Sequence, residues 1–175
     1  WADLSEQGYG VSLLNDCKYG YDIKDNRLRL SLVKSATHPD YAADQGEHIF
    51  TYALLPHQGS WIEGGTVFEA WDLNSPLTWA KGAPQRDRFS LFALDVDNVM
   101  IDVVKKAEDE DKLVVRLHEF TGARNKVTLS TALSASSWQE CNLLEEPMGD
   151  KMTGDSLEFF IIPYEIKTFL VELKK

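Results

Sequence analysis

The chain has 175 residues, of which 43% are hydrophobic and 11% aromatic, and this composition excludes a disordered protein and supplies enough apolar surface for a buried core. The formal net charge is -10 at pH 7, and the few Lys and Arg residues are interleaved with acids, which argues against nucleic-acid or anionic-membrane partners. No run approaches the roughly 18 apolar residues of a membrane-spanning helix, and nothing resembles a signal peptide.

The first residue of the chain indicates whether the sequence is a piece of a longer polypeptide, and its two cysteines indicate the redox compartment. The chain begins at Trp1 with sequence that is already typical of packed structure, so we expect it to be a piece of a longer polypeptide. Cys17 and Cys141 are far apart and lack CxxC or Cys/His spacing, which argues against a disulfide framework and a structural zinc site. A reducing compartment is the expected location.

Apolar residues recur with a period of two along most of the chain. Leu28, Leu30 and Leu32 share one face of a predicted strand, and the same alternation occurs at residues 112–120. Further short runs of this kind lie at residues 47–55, 89–94, 99–104, 126–133, 157–162 and 166–173. Turn-forming residues separate them, so the sequence predicts an all-β protein built as an antiparallel β-sandwich.

One segment departs from the strand pattern, and a second interrupts it. Residues 60–74 predict a short helix or an irregular connector, although the Gly64-Gly65 pair weakens the helical interpretation. Residues 74–88 contain two prolines and a charge cluster, which indicates a boundary. We therefore predict that residues 1–80 form the end of one sandwich and that residues 81–175 form a second, smaller sandwich.

The stretch NDCKYGYD, residues 15–22, concentrates polar and aromatic side chains immediately after an apolar run. As a structural hairpin, it begins its turn at Asn15-Asp16, uses Gly20 for a positive φ, and packs its tyrosines on a neighbouring strand. Alternatively, it forms one wall of a functional site. Both interpretations remain open from these residues alone.

Residues 38–48 contain five side chains of metal-binding type: His38, Asp40, Asp44, Glu47 and His48. A metal site requires these groups to converge on one point, and the segment lacks the helical i, i+4 spacing that would bring two imidazoles together. A surface loop closed by Gly46 is therefore the preferred interpretation.

Other candidate catalysts are weak. His57 and His118 are interpreted as polar residues at a strand edge or on an outer face, and Lys18 beside Cys17 is the only hint of an activated thiol. The chain has 28 acids, but most lie in turns where solvation accounts for them, so no pair stands out as the two carboxylates of a glycosidase.

Four segments together resemble the C-terminal region of the α-mannosidases of glycoside hydrolase family 38, of the bacterial and cytosolic type. They are residues 1–40, residues 44–57 with the sequence DQGEHIFTYALLPH, the stretch WQECNLLEE at 138–146, and PYEIKTFLVEL at 163–173. The resemblance covers nearly the whole chain in the family's order. It implies a large cytoplasmic enzyme whose catalytic domain precedes β-sandwiches at the C-terminus.

The resemblance also implies where the chemistry lies. In that family a retaining hydrolysis of terminal α-linked mannose uses an aspartate nucleophile and a zinc ion held by two aspartates and two histidines, all in the N-terminal region. None of those motifs occurs in this chain, so we expect it to hold no catalytic or metal-binding residue and to be inactive alone. Its expected partners are the catalytic domain of the same polypeptide, mannose-containing glycans and, through exposed apolar surface, a second copy of itself.

Because some sandwich loops of this family reach the rim of the active site, the resemblance makes Asp16, Lys18, Tyr19 and Tyr21 candidate substrate-proximal residues. The competing hypothesis is a carbohydrate-binding or purely structural β-sandwich module. For that module the possible sugar platforms are four tryptophans, although core packing is the preferred interpretation of them: Trp61, Trp71, Trp79 and Trp138.

Overall fold

The structure is a computed structural model that describes residues 1–83 and 87–174, so residues 84–86 of the predicted connector lie outside the described part. The chain divides into two compact units, Trp1–Gly82 and Ala83–Lys175. The described residues form antiparallel strands and one short helix, which confirms the all-β prediction. That helix is too short to cross a membrane, and no other helix occurs in the described residues.

The first unit contains a three-stranded sheet, a separate hairpin and the helix. Its elements are β1 (Ala2–Glu6), β2 (Tyr9–Asn15), β3 (Gly20–Lys24), β4 (Arg27–Ser31), β5 (Tyr52–His57) and α1 (Thr66–Asn74). The sheet has the order β1-β2-β5, and β3 pairs with β4. Because β5 lies at a sheet edge it tolerates Pro56, and the strand continues one residue further to His57. Leu32 lies beyond β4 and is 37% exposed, so it does not share the predicted strand face.

The helix α1 packs on one face of this sheet. Gly65 has a φ of 66° and immediately precedes the helix, so the Gly64-Gly65 pair lies outside α1 and does not weaken it. The buried residues of α1, Thr66 and Ala70, are one turn apart, and Thr66 Oγ1 lies 2.7 Å from Ser12 Oγ on β2. The opposite side of β2 carries Val11 and Leu13.

The second unit is a β-sandwich. Its strands are β6 (Phe92–Leu94), β7 (Val99–Lys106), β8 (Leu113–Glu119), β9 (Asn125–Thr131), β10 (Ala135–Cys141), β11 (Met152–Thr153), β12 (Ser156–Ile161) and β13 (Ile166–Leu173). They form a five-stranded sheet of order β11-β10-β13-β8-β7 and a three-stranded sheet of order β12-β9-β6. Both sheets contribute to one core: Trp138, Phe169, Leu117 and Val115 come from the larger, and Leu129, Leu157 and Ile161 from the smaller.

One strand of this sandwich has no counterpart in the sequence-based prediction. The strand β10, ASSWQEC, lacks apolar alternation because Ser136 and Ser137 precede Trp138, and its pairing with β13 shifts register between Ala135 and Ser137. The fully buried Trp138 lies in this strand, and its Nε1 donates a hydrogen bond to the Gly154 carbonyl at 2.9 Å. Trp138 is therefore a core residue and cannot serve as a sugar platform.

A buried carboxylate joins three loops at one end of the sandwich. Glu119, which is 1% exposed, accepts hydrogen bonds from Asn98 Nδ2 at 2.8 Å, from the backbone N–H groups of Thr121 and Gly122 at 2.9 and 2.8 Å, and from that of Tyr164 at 3.1 Å. Burial alone would raise the pKa of Glu119, but the hydrogen bond that the Thr121 hydroxyl donates to Oε1, together with those from Tyr164, Thr121 N–H and Asn98, outweighs it and lowers the pKa to about 2.

This shift predicts that the second unit loses stability in acid. The pKa of Glu119 is about 2 in the folded state and about 4.5 when unfolded, so its contribution is complete above pH 4.5 and is lost as the pH falls toward 2. We expect the urea midpoint of unfolding to fall through this window, and to fall less in the Glu119→Gln variant, which has no carboxylate to titrate. A midpoint equally acid-sensitive in both proteins would contradict this assignment.

Candidate functional site

The turn that follows β2 is organised by the side chain of Asn15. This residue is 8% exposed, and its Oδ1 accepts hydrogen bonds from the backbone N–H of Cys17, at 3.0 Å, and from that of Lys18. Its Nδ2 donates to the hydroxyl of Tyr21. The amide therefore fixes the path of the chain between β2 and β3, as an Asx turn does.

In this turn, Gly20 and Tyr19 do not have the predicted conformation and packing, whereas Tyr21 packs as predicted. Gly20 is the first residue of β3 and does not have a positive φ, because Asn15 closes the turn without a left-handed residue there. The Tyr21 hydroxyl donates to the Leu13 carbonyl at 3.2 Å, so Tyr21 packs back on β2 as predicted. Tyr19 is 91% exposed and does not pack on a strand.

The charged residues of the turn contact residues 50 and 51, which immediately precede β5. Asp16 Oδ2 accepts a hydrogen bond from the Thr51 backbone N–H at 3.0 Å, and this bond contributes most to lowering the pKa of Asp16. The Asp16 N–H donates to the Thr51 carbonyl at 3.2 Å. The Lys18 ammonium lies 4.9 Å from the centre of the Phe50 ring, in a cation–π arrangement. The turn thus carries an ammonium placed over the Phe50 ring and, at the next residue, an exposed phenol.

The thiol in this turn is not an activated nucleophile. A hydrogen bond with Asp16 and burial both raise the pKa of Cys17, and they outweigh the opposite effect of Lys18. The hypothesis that Lys18 activates Cys17 is therefore wrong, because the neighbouring carboxylate disfavours the thiolate more than the ammonium favours it.

Three of the five potential metal ligands of residues 38–48 contact local backbone groups. Asp40 accepts a hydrogen bond from the Ala42 N–H at 2.8 Å, Asp44 accepts one from the Ser35 N–H at 2.9 Å, and His48 Nε2 lies 2.8 Å from the Asp44 carbonyl. Within residues 1–83 and 87–174, no three His, Cys, Asp or Glu side chains lie close enough to hold a metal ion. The structure does not bring these candidates together.

His57 is buried, which corrects its interpretation as an edge or outer-face residue. Its side chain is 4% exposed, and Nε2 lies 2.8 Å from Asp3 Oδ1, a carboxylate that is itself 7% exposed. Ser12 Oγ donates to the same carboxylate oxygen at 2.6 Å and lies 2.7 Å from Thr66 Oγ1. The expectation failed because α1, which follows β5 in the chain, folds back over this face of the sheet.

These residues form a structural network rather than a nucleophilic triad. A triad histidine contacts its acid through one ring nitrogen and its nucleophile through the other, whereas His57 Nε2 contacts both Asp3 and Ser12, the latter at 3.3 Å. Burial would raise the pKa of Asp3, but hydrogen bonds from Ser12, Ser5 and His57 outweigh it and lower the pKa. No local sequence pattern predicts this network, because its members lie up to 63 residues apart.

The position of the His57 imidazole explains why residues 10 and 64 are glycines. A Cβ placed on Gly10 would lie 2.4 Å from His57 Cε1, and one placed on Gly64 would lie 2.5 Å from His57 Cγ. Both distances are shorter than van der Waals contact. The absence of a Cβ at Gly10 and Gly64 therefore provides the space that the His57 ring occupies. The network therefore joins β1, β2, β5 and the start of α1.

The remaining histidine and tryptophan candidates differ in their surroundings. His118 is partly exposed, and its Nδ1 lies 2.7 Å from Asp102 Oδ2. Trp61 packs against Trp1 with ring centres 5.3 Å apart. Trp71 and Trp79 are 42% and 84% exposed, so they do not show the core packing that was preferred for them. Trp138, in contrast, is fully buried in the core of the second unit.

An open apolar groove lies on the face of the first sheet opposite α1. We call this the apolar face and define it by Leu4, Tyr9, Val11, Leu13 and Leu54. With Leu28 of the hairpin these residues line a groove of about 530 Å³. Tyr9 is 51% and Leu54 67% exposed, so the apolar side chains are contiguous and incompletely covered.

Comparisons with known proteins agree on one family. The family described as "Glycosyl hydrolases family 38 C-terminal domain" matches residues 1–42, and "Glycosyl hydrolases family 38 C-terminal beta sandwich domain" matches residues 98–169. The chain is 38% identical to human "Alpha-mannosidase 2C1" and 37% identical to the mouse protein of that name, in each case over 99% of this chain and 18% of the relative.

A solved structure shows the same fold. A glycosyl hydrolase family 38 protein from Enterococcus faecalis aligns with 97% of this chain and 22% of its own chain, with a TM-score of 0.74 and 22% sequence identity. The chain therefore spans about a fifth of the length of the relatives it matches. From these matches at both ends of the sequence, the chain belongs to glycosyl hydrolase family 38 and corresponds to its C-terminal region.

Proposed function

We propose that the full-length protein is an α-mannosidase that hydrolyses terminal α-linked mannose and that this chain supports its catalytic domain. The observation that carries the proposal is the identity of 37 to 38% with two proteins named α-mannosidase over 99% of the chain. Since the chain spans 18% of those relatives, the catalytic domain belongs to the polypeptide that precedes it.

The chemistry of this proposal lies outside the chain. A retaining reaction with a zinc ion is what the family resemblance implies, and the described residues offer no set of three ligands for such an ion. We therefore assign no catalytic step to them. Cys17 and Cys141 are both free, which supports a reducing compartment such as the cytoplasm.

The apolar face supports a structural role for the first unit. Leu4, Val11 and Leu13 line an open groove, and Leu54 is two-thirds exposed beside them. Burial of such surface is favourable by about 25 cal/mol per Å² of apolar area. In this proposal the preceding polypeptide covers the apolar face, and this contact holds the C-terminal units on the catalytic domain.

The isolated chain should therefore self-associate through the apolar face. We expect its average mass in sedimentation equilibrium to rise with concentration, and we expect Leu54→Glu to abolish the rise because a charge cannot be buried without a partner. Leu77→Glu is the matched control, since Leu77 is 99% exposed and does not line the groove. A wild-type chain that remains monomeric, or equal effects of both substitutions, would refute the prediction.

The turn after β2 supports a second role, at the rim of the sugar site. Tyr19 is 91% exposed beside Lys18 on a turn that Asn15 and Thr51 hold in place. Phenol rings pack against sugar faces and donate hydrogen bonds to hydroxyl groups. Asp16, Lys18, Tyr19 and Tyr21 are the proposed substrate-proximal residues, with Tyr19 the most accessible of them.

A glycoside panel tests the proposed activity. The full-length protein is expected to hydrolyse an aryl α-mannoside in preference to the matching β-mannoside and α-glucoside, whereas the isolated chain is expected to hydrolyse none of them. A full-length protein inactive on the α-mannoside, or an isolated chain with activity that survives repurification, would overturn the proposal.

A further inference from the structure

The helix α1 is tied to β2 at both of its ends, and the second tie lies at the base of the candidate site. At the start of α1, Thr66 Oγ1 lies 2.7 Å from Ser12 Oγ. At its end, Asn74 Nδ2 donates hydrogen bonds to the Asn15 carbonyl at 3.2 Å and to the Ala70 carbonyl at 2.9 Å. Asn74 is therefore held by its own helix while it holds the last residue of β2.

Asn15 connects Asn74 to the turn through its own hydrogen bonds. Its carbonyl accepts from Asn74, and its side-chain oxygen accepts from the backbone N–H groups of Cys17 and Lys18. Its side-chain nitrogen donates to the Tyr21 hydroxyl. A shift at Asn15 therefore moves both sides of the turn that presents Lys18 and Tyr19. The two amides lie 59 residues apart in the chain, so this coupling exists only in the folded unit.

We propose that Asn74 is a positioning residue for mannoside turnover, which acts through Asn15 to orient the turn that carries Lys18 and Tyr19. This inference rests on the proposed role of that turn at the sugar site. Its physical basis is that a group which touches substrate must be held within a fraction of an ångström of its productive position by contacts beyond it.

Asn74 is a better position for substitution than Asn15. Asn74 lies on the exposed end of α1, whereas Asn15 is buried and anchors the turn directly, so its replacement would disturb folding. Asn74→Ala removes the donor to the Asn15 carbonyl. Asn74→Gln keeps an amide donor on a longer side chain and serves as the conservative variant. Asp72→Ala is the matched control, because Asp72 is an exposed residue of the same helix.

The test uses the full-length protein and two independent kinds of measurement. The first compares kcat/KM for an aryl α-mannoside with the melting temperature of the same variant. The second is the rate at which Cys17 is alkylated, read by mass spectrometry of its peptide, because this exposed thiol lies within the turn and is held by Asp16. A loosened turn releases the thiol from that carboxylate and accelerates alkylation.

For Asn74→Ala we expect a fall in kcat/KM of about tenfold, mainly in kcat, with a smaller relative loss in Asn74→Gln and no change in Asp72→Ala. We expect Cys17 alkylation to accelerate several-fold in Asn74→Ala only. A lower melting temperature with unchanged kcat/KM and unchanged alkylation would show that Asn74 is merely structural, and it would overturn the inference.

Tyr19→Ala, measured beside these variants, separates failure of the inference from failure of the proposed site. If Tyr19→Ala lowers kcat/KM and Asn74→Ala does not, the turn contributes to turnover without this tether, and the inference fails alone. If neither variant changes kcat/KM, both ideas fail. A fall in Asn74→Ala with unchanged alkylation of Cys17 would show that Asn74 acts by another route, and it would also overturn the inference.

Discussion

Replacement of Glu119 by Ala is expected to lower the free energy of unfolding of the second unit by about 3 to 5 kcal/mol. The substitution removes the acceptor of the backbone N–H groups of Thr121, Gly122 and Tyr164. The amide of Asn98 keeps only its contact with Thr121 Oγ1, at 3.3 Å. A donor left unsatisfied in a fully buried place costs about 1 to 3 kcal/mol, and each of these partly buried donors costs less because water can enter the space left by the side chain.

Urea unfolding of the chain, followed by tryptophan fluorescence, measures this loss. Glu158→Ala is the matched control, because the Glu158 side chain is 61% exposed and pairs with Lys126 on the surface of the same unit. Surface pairs of this kind contribute at most about 1 kcal/mol. A Glu119→Ala variant as stable as Glu158→Ala would mean that the three loops are held together without this carboxylate.

Replacement of Tyr19 by Ala is expected to lower kcat/KM of the full-length protein for an aryl α-mannoside about tenfold, with an unchanged melting temperature. Tyr19 is 91% exposed, so its removal costs little burial, whereas loss of a positioned contact to substrate reduces turnover. Lys18→Ala should have a smaller effect of the same kind, since Lys18 also contacts Phe50.

A matched control separates this outcome from a folding effect. Tyr41→Ala removes another exposed tyrosine of the first unit, 81% accessible, and should change neither quantity. Tyr21→Ala should lower turnover as well, and it should also lower the melting temperature because the Tyr21 hydroxyl donates to the Leu13 carbonyl. If Tyr19→Ala behaves as Tyr41→Ala does, the turn does not take part in turnover.

The strands could be predicted where apolar alternation is strong. The alternation of Leu113, Val115 and Leu117 lies in β8, and Val115 and Leu117 are fully buried. It fails in β10, where two serines interrupt the apolar pattern at a register shift. Ser137 is buried on the face opposite Trp138, where its Oγ donates to Glu172 Oε2 at 3.0 Å. Burial of a small polar residue depends on such a long-range partner, and periodicity contains no information about it.

The turn at residues 15–22 could be predicted in position but not in detail. The concentration of polar and aromatic residues at 15–22 marks the turn correctly, but composition does not distinguish Tyr19, which is exposed, from Tyr21, whose hydroxyl bonds to β2. That distinction depends on the Asn15 side chain. Likewise, the tie between Asn74 and Asn15 requires α1 to return to the end of β2, and no short-range pattern predicts that contact.

Hydrogen–deuterium exchange of the full-length protein, with and without a mannose-shaped iminosugar inhibitor, shows whether the turn at residues 16–21 lies at the sugar site. We expect slower exchange on binding in the peptide that contains residues 16–21, and no change in residues 99–106, which form β7 of the second unit. Slower exchange confined to the polypeptide that precedes Trp1, with residues 16–21 unchanged, would contradict the claim that this turn lies at the sugar site.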